Sequence, residues 1–141
     1  METSTTPFLA GGTELTTSIS TYTINEKIAE GSFGAIFKVT EKSTGTRLVL
    51  KAELPGSPSN DLRIELVTML RVFRSYVPEV TDKGVFNGTK FLIMPLFGKS
   101  LEDIIGALPG NKCSLSTAIG SLYQCLEAIE LSIGPTICTG I

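Results

Sequence analysis

Two glycines three residues apart, Gly31 and Gly34, stand between apolar stretches that read as strands. Glycine lets backbone N–H groups close on an anion without a side chain in the way, so such a turn suits phosphate. Lys51 follows on Leu48-Val49-Leu50-Lys51-Ala52, which reads as a mostly buried strand where an ammonium needs a partner. Glu65 lies three residues after Leu62 and four before Met69, at the border of an apolar helical face, so its carboxylate looks toward the sheet. One arrangement serves both charges: Lys51 holds phosphate oxygens, and Glu65 holds Lys51. Each feature alone has an ordinary explanation: a hairpin with two glycines, a lysine on the polar side of a strand, a solvated helix position. The chain has no histidine, and its three cysteines, Cys113, Cys125 and Cys138, lack metal-ligand spacing. They read as reduced thiols of an intracellular protein, cytoplasmic or nuclear.

The elements that must hold these groups are legible in turn. Residues 1–20 are rich in Thr and Ser and read as a flexible tail. Tyr22, Ile24 and Ile28 mark a first strand and Ala35–Thr40 a second, and Ser43-Thr44-Gly45-Thr46 turns the chain into the third. Asn60 is placed to cap a helix whose Leu62, Leu66, Met69, Leu70 and Phe73 share one face, and Pro78 stops it. Val85-Phe86, Asn87-Gly88 and Phe91–Met94 predict a hairpin of strands four and five, because Asn-Gly fits the mirror-image turn of a tight hairpin. Asp82-Lys83-Gly84 reads as a turn. Ser100-Leu101-Glu102-Asp103 predicts a capping box opening a short helix. A longer helix starts near Ser114 or Ser116, with Leu115, Ala118, Ile119, Leu122, Leu126 and Ile129 in period.

The 141 residues suit one domain or one lobe of a larger one. Hydrophobic content of 42% against 18% charged supplies a core and argues against disorder. A net charge of -2 argues against a nucleic-acid partner, which needs clustered Lys and Arg. No apolar run is long enough to span a bilayer, and the acidic, hydroxyl-rich start lacks a signal peptide's basic region.

The order of glycine turn, strand lysine, helix glutamate, hairpin and linker resembles the small lobe of a protein kinase. The wording is similar to the casein-kinase-one group and its tau-tubulin-kinase-like branch. Ile28-Ala29-Glu30-Gly31-Ser32-Phe33-Gly34 resembles that group's phosphate loop, and Leu62-Arg63-Ile64-Glu65 its regulatory helix. Leu96–Asp103 resembles its hinge, and Gln124–Glu130 the long helix leading to the catalytic loop. The resemblance implies an α+β fold: a five-stranded antiparallel sheet with one regulatory helix over residues 21–98, then the start of a helical lobe over 99–134.

It also implies ATP as ligand, magnesium in the intact family, and a protein substrate or partner. Gly31, Ser32, Phe33 and Gly34 would fold over the phosphates. Lys51 would contact them and pair with Glu65. Ile28, Ile36 and Val49 would line the base, Met94 would back the adenine pocket, and Pro95 and Phe97 would meet the adenine edge through backbone groups. Ala29 stands where the family has a first glycine and stiffens the loop; Val49 stands where it has alanine and narrows the pocket.

The family's catalytic aspartate and magnesium ligands belong after the long helix, where residues 135–141 read as an aberrant tail. The polypeptide is therefore expected to be inactive. One allowed coding of Pro135–Ile141, read two nucleotides later, gives Asn-Asn-Leu-His-Arg-Asp, so a change of frame after about Glu130 is hypothesised. Genomic sequence without that frame refutes it. Leu115, Ile119, Leu122, Leu126 and Ile129 would each forgo about 1.5–3 kcal/mol of burial if nothing covers them.

Overall fold

The computed structural model describes residues 9–32, 34–54, 62, 64 and 76–133. The chain forms two compact units: a sheet unit (residues 1–70 and 78–96) and a helical unit (residues 71–77 and 97–141).

The sheet unit is built on six strands: β1 (Glu14–Thr16), β2 (Thr21–Gly31), β3 (Gly34–Glu41), β4 (Arg47–Ala52), β5 (Asp82–Phe86) and β6 (Thr89–Pro95). They lie in the order β1-β2-β3-β4-β6-β5, and every neighbouring pair is antiparallel. Each tight hairpin has its turn chemistry. Asn87 and Gly88 have φ of 48° and 81°, the left-handed pair that joins β5 to β6. Gly45, at φ 70°, turns β3 into β4 while its N–H bonds the Glu41 carbonyl at 2.8 Å.

Alternation along the strands sends one set of side chains into the core. Phe37, Val39, Leu50, Ala52, Phe91 and Ile93 are all buried on one face, joined by Tyr22 and Ile24 from β2. Burial of each large side chain is worth about 1.5–3 kcal/mol, so this face carries most of the unit's stability.

Two expectations are corrected here. Part of the supposed tail, residues 1–20, is ordered: Glu14–Thr16 pairs with Thr21–Thr23, and Leu9 and Leu15 are buried in the core cluster. The sheet therefore has six strands rather than five. Asp82-Lys83-Gly84 is not a turn but the start of β5. Asp82 is buried and its carboxylate accepts hydrogen bonds from the Thr17 hydroxyl, from Tyr22 Oη at 2.7 Å and from the Lys83 N–H at 2.7 Å. Burial, then the hydrogen bond and negative charge of Asp82, push the Tyr22 phenol well above the usual tyrosine range. Gly84 is required by its neighbour: a Cβ there would lie 2.5 Å from the ring of Phe91.

Leu62 and Ile64 are helical, and Leu62 is buried. Asn60, Leu66, Met69, Leu70 and Phe73 lie outside the described residues, as do Phe33, Glu65, Cys138 and segment 135–141.

The helical unit contains α1 (Leu101–Gly106), a short 3-10 turn (Pro109–Asn111) and α2 (Leu115–Ile133). Ser100 caps α1 as expected. Its Oγ accepts from the Asp103 N–H at 3.1 Å, and the Asp103 carboxylate accepts from the Ser100 N–H at 3.0 Å. The Ser100 hydroxyl, which donates to the Asp103 carboxylate at 2.7 Å, and then the Ser100 N–H hold the Asp103 carboxyl below its usual range. Ser114 opens α2, its Oγ accepting from the Thr117 N–H at 3.2 Å. The apolar stripe of Leu115, Ile119, Leu122, Leu126 and Ile129 is exposed along its length. Within the unit, Tyr76 Oη donates to Glu127 at 3.0 Å. Cys113 and Cys125 are free thiols. Among the described residues no helix is long and apolar enough to cross a membrane.

Candidate nucleotide-binding face

The face of the sheet opposite the core is where the candidate residues gather. Register builds it in two rows. Ala29, Ile36, Lys51 and Leu92 stand directly across from one another on β2, β3, β4 and β6. Lys38, Val49 and Met94 form the adjacent row. Paired residues of antiparallel strands share a face, so Ile36, Val49, Lys51 and Met94 line one surface. Its aliphatic groups are half-buried at Ile36 and Val49 and buried at Leu92 and Met94. Lys51 is half-buried among them and is engaged in an interaction in the structure. Such a surface suits a flat apolar ring system carrying an anionic group toward the lysine.

The glycine turn closes one end of this face. Gly31 and Gly34 pair across the tip of the β2–β3 hairpin, with Ser32 exposed between them. The two glycines have different reasons to be glycine. A Cβ on Gly34 would lie 2.5 Å from the Ala52 carbonyl oxygen, so β3 starts too close to β4 for any side chain. A Cβ on Gly31 would meet no described residue within 4 Å. Among the described residues, then, none claims the space over Gly31, and none stands between its backbone and a ligand.

Three candidates are placed differently. Ile28 falls at a one-residue register shift between Lys27 and Ala29, has no cross-strand partner and is exposed. Pro95 pairs with Leu48, in register with the core face, so any role toward a ligand on the Lys51 face falls to its backbone. Phe97 is exposed and belongs to the helical unit. Phe33 and Glu65 lie outside the described residues, so the structure does not bear on the Lys51–Glu65 pair.

Residue-by-residue reading missed Ala29, Lys38 and Leu92 as members of the face; counting register from the β2–β3 and β3–β4 hairpins would have found Ala29 and Lys38, whereas Leu92 joins through the β4–β6 pairing, which no hairpin sets. It also passed over Glu53. This carboxylate is buried, and its Oε1 accepts no hydrogen bond among the described residues. A glutamate two residues beyond a strand lysine, on the same side of the strand, was the available signal. Among the described residues no group of three or more His, Cys, Asp or Glu is placed to hold a metal ion.

No protein-family model matches the chain. Curated relatives do. A probable casein kinase I homolog of Encephalitozoon cuniculi is 28% identical over 122 residues, 82% of this chain and 37% of that protein. Casein kinase I homolog 1 of Schizosaccharomyces pombe is 32% identical over 110 residues, 77% of this chain and 24% of that one. Casein kinase I homolog 1 of Saccharomyces cerevisiae is 31% identical over 113 residues, 77% of this chain and 20% of that one. The chain thus spans well under half the length of each. Among solved structures, the Mycobacterium tuberculosis PknI kinase domain superposes with a TM-score of 0.67 at 18% identity, covering 88% of this chain and 50% of that domain. That likeness shows the fold.

Proposed function

Since the chain is a casein-kinase-I-like segment with a protein-kinase fold, we propose that its sheet unit is an ATP-binding module. The observation that carries this is the shared face: Ile36, Val49, Lys51 and Met94 in two adjacent cross-strand rows beside a Gly31 that no described residue crowds. The aliphatic rows receive the adenine, Lys51 takes phosphate oxygens, and the backbone at Gly31 closes over them. Glu65, three positions past Leu62, supplies the carboxylate that orients Lys51. Pro95 and Phe97 serve the adenine edge through backbone groups. In the family, magnesium bound with ATP neutralises phosphate charge; the residues that would hold it are not assigned in these 141 residues.

The free thiols Cys113 and Cys125 and the acidic balance fit an intracellular setting without a nucleic-acid partner. A protein substrate or partner follows from the family.

A second reading rests on α2, whose Leu115, Ile119, Leu122 and Leu126 are each more than half exposed. An apolar helix face of that extent suits an interaction module that keeps nucleotide binding but does no chemistry.

The test is thermal unfolding with and without Mg-ATP, repeated on Lys51→Ala. The parent should melt cooperatively and gain stability with ATP, because a ligand that binds only the folded state raises its melting point. Lys51→Ala should melt like the parent but lose the ATP-dependent gain. An unchanged gain in the mutant refutes the assigned role of Lys51.

A further inference from the structure

β5 ends the sheet, with β6 on one side and no described strand on the other. The pairing decides which of its backbone groups face that open edge. The Glu53 N–H bonds the Lys90 carbonyl at 3.0 Å, so Lys90 turns its backbone toward β4. Hydrogen-bonding direction alternates along a strand, so Thr89, Phe91 and Ile93 turn theirs toward their β5 partners Phe86, Gly84 and Asp82. Lys83 and Val85 are left pointing outward. The Lys83 N–H accordingly bonds a side chain, the Asp82 carboxylate, at 2.7 Å. Among the described residues none bonds the Val85 backbone from the open side.

The same two residues border a cavity of about 360 Å³, toward the lower end of the roughly 300–1,000 Å³ typical of ligand pockets. Leu62, Val85, Phe91 and Leu92 make its lining mainly apolar, and Lys83 and Lys90 supply its charge. Leu62, Phe91 and Leu92 are buried, whereas Val85 is 64% exposed and Lys83 is exposed. Lys90 is engaged in an interaction, and Glu53 stands beside it one strand inward, so the cation that faces an incoming anion is Lys83. An open strand edge beside an apolar cavity is the arrangement that takes up an extended peptide as an added strand. A second copy of the chain would also fit the edge, but it would gather Lys83 and Lys90 of both chains on one face, and like charges repel there. A peptide bearing a carboxylate is attracted instead.

We infer that the open edge of β5 docks an extended acidic peptide of a partner protein, antiparallel to the strand. The peptide residue opposite Val85 exchanges both backbone bonds with it. Paired residues share a face, so the side chain of that residue is apolar and enters the cavity. The residue two positions later lies opposite Lys83, donates its N–H to the Lys83 carbonyl and carries the carboxylate. The site adjoins the nucleotide face through Leu92 but uses neither Lys51 nor the glycine turn.

The experiment follows, by fluorescence anisotropy, binding to the full chain of a labelled peptide carrying Phe-Thr-Glu in a Ser/Thr background. Lys83→Glu should weaken it about 3- to 10-fold, and Lys in place of the peptide's Glu should restore it. N-methylation of the peptide at Phe, whose N–H faces β5, should weaken binding about tenfold; methylation at the next Thr, whose N–H faces away, should leave it within about twofold. Absence of binding at millimolar peptide, equal effects of the two methylations, or no change with Lys83→Glu overturns the inference. So does a dimer of the chain in sedimentation that tightens with Lys83→Glu, because the edge then belongs to a second copy. The methylations leave the protein untouched, so they decide the docking even if Lys83→Glu lowers the melting point.

Discussion

Alanine placed at the two ends of the hairpin tip separates a glycine kept for packing from a glycine kept for a ligand. At Gly34 the new methyl would sit 2.5 Å from the Ala52 carbonyl oxygen and 3.4 Å from its carbon. Both are backbone atoms of a paired strand, so neither yields as a flexible side chain would. Relief requires β3 and β4 to part at Ala35–Ala52, where both residues are buried. Overpacking of this kind costs about 1–3 kcal/mol. For a unit of this size each kcal/mol is worth about 4–8 °C, so Gly34→Ala should melt roughly 5–20 °C below the parent. At Gly31 the methyl meets no described residue within 4 Å, and stability should change by no more than about 0.5 kcal/mol. Nucleotide response should invert this order: Gly31→Ala should lose most of its ATP-dependent gain although it folds normally. Calorimetry of the three proteins, each with and without Mg-ATP, reads both quantities at once. Equal melting points for Gly34→Ala and the parent would refute the packing argument. A full ATP response from Gly31→Ala would refute the ligand argument.

Three further outcomes are expected. Folding raises the Tyr22 phenol pKa, so its stabilising contribution is complete below the ordinary tyrosine value of about 10 and is lost as pH climbs toward the folded-state value. Tyrosine-resolved NMR titration should show Tyr22 ionising late, and Asp82→Ala should cost about 1–3 kcal/mol by stranding the Tyr22 and Thr17 hydroxyls. The Asp103 carboxyl is held low, so the α1 cap persists above the usual carboxylate range and weakens as pH falls through it; Ser100→Ala should raise amide exchange at Asp103 and remove that pH dependence. Leu122→Lys with Leu126→Lys, both on the exposed stripe of α2, should leave the melting point within about 2 °C while reducing dye binding to apolar surface; a larger drop would show that this face is packed.

What could be read without the structure was whatever is decided within a few residues. Asn87-Gly88 specifies its turn through two residues that accept positive φ. Ser100 and Asp103 specify a helix start through a bond three residues long. The alternation of Ile36–Val39 and Leu48–Ala52 specifies which face meets the core. The errors share one cause. Glu14–Thr16 is a strand because β2 pairs with it and because Leu15 has a core to enter, and neither fact is present in a local run of threonines. Asp82 begins a strand because Tyr22 and Thr17, 60 and 65 residues away, satisfy its carboxylate. The site was legible in its residue types but not in its membership. Lys38 and Leu92 join the face only once register is counted, and Glu53 becomes noticeable only when its burial is known.

The two register shifts in β2 bear on how this strand tolerates changes in length. Asn25 and Ile28 are the residues skipped when β2 pairs with β3; Ile24 opposes Val39 and Glu26 opposes Lys38, then Lys27 opposes Phe37 and Ala29 opposes Ile36. Each is a supernumerary residue on one side of the ladder. Deleting either heals the pairing and leaves every remaining partner in place, at the expense of local twist. Deleting Glu26 or Ala29 instead removes a paired side chain, and the neighbouring extra residue, Asn25 or Ile28, must take its place opposite Lys38 or Ile36. Insertions and deletions in this strand are therefore accommodated at two positions. One of them, Ile28, is also where the chain turns into the glycine tip, so a change of length there re-aims the tip while leaving the ladder behind it unbroken.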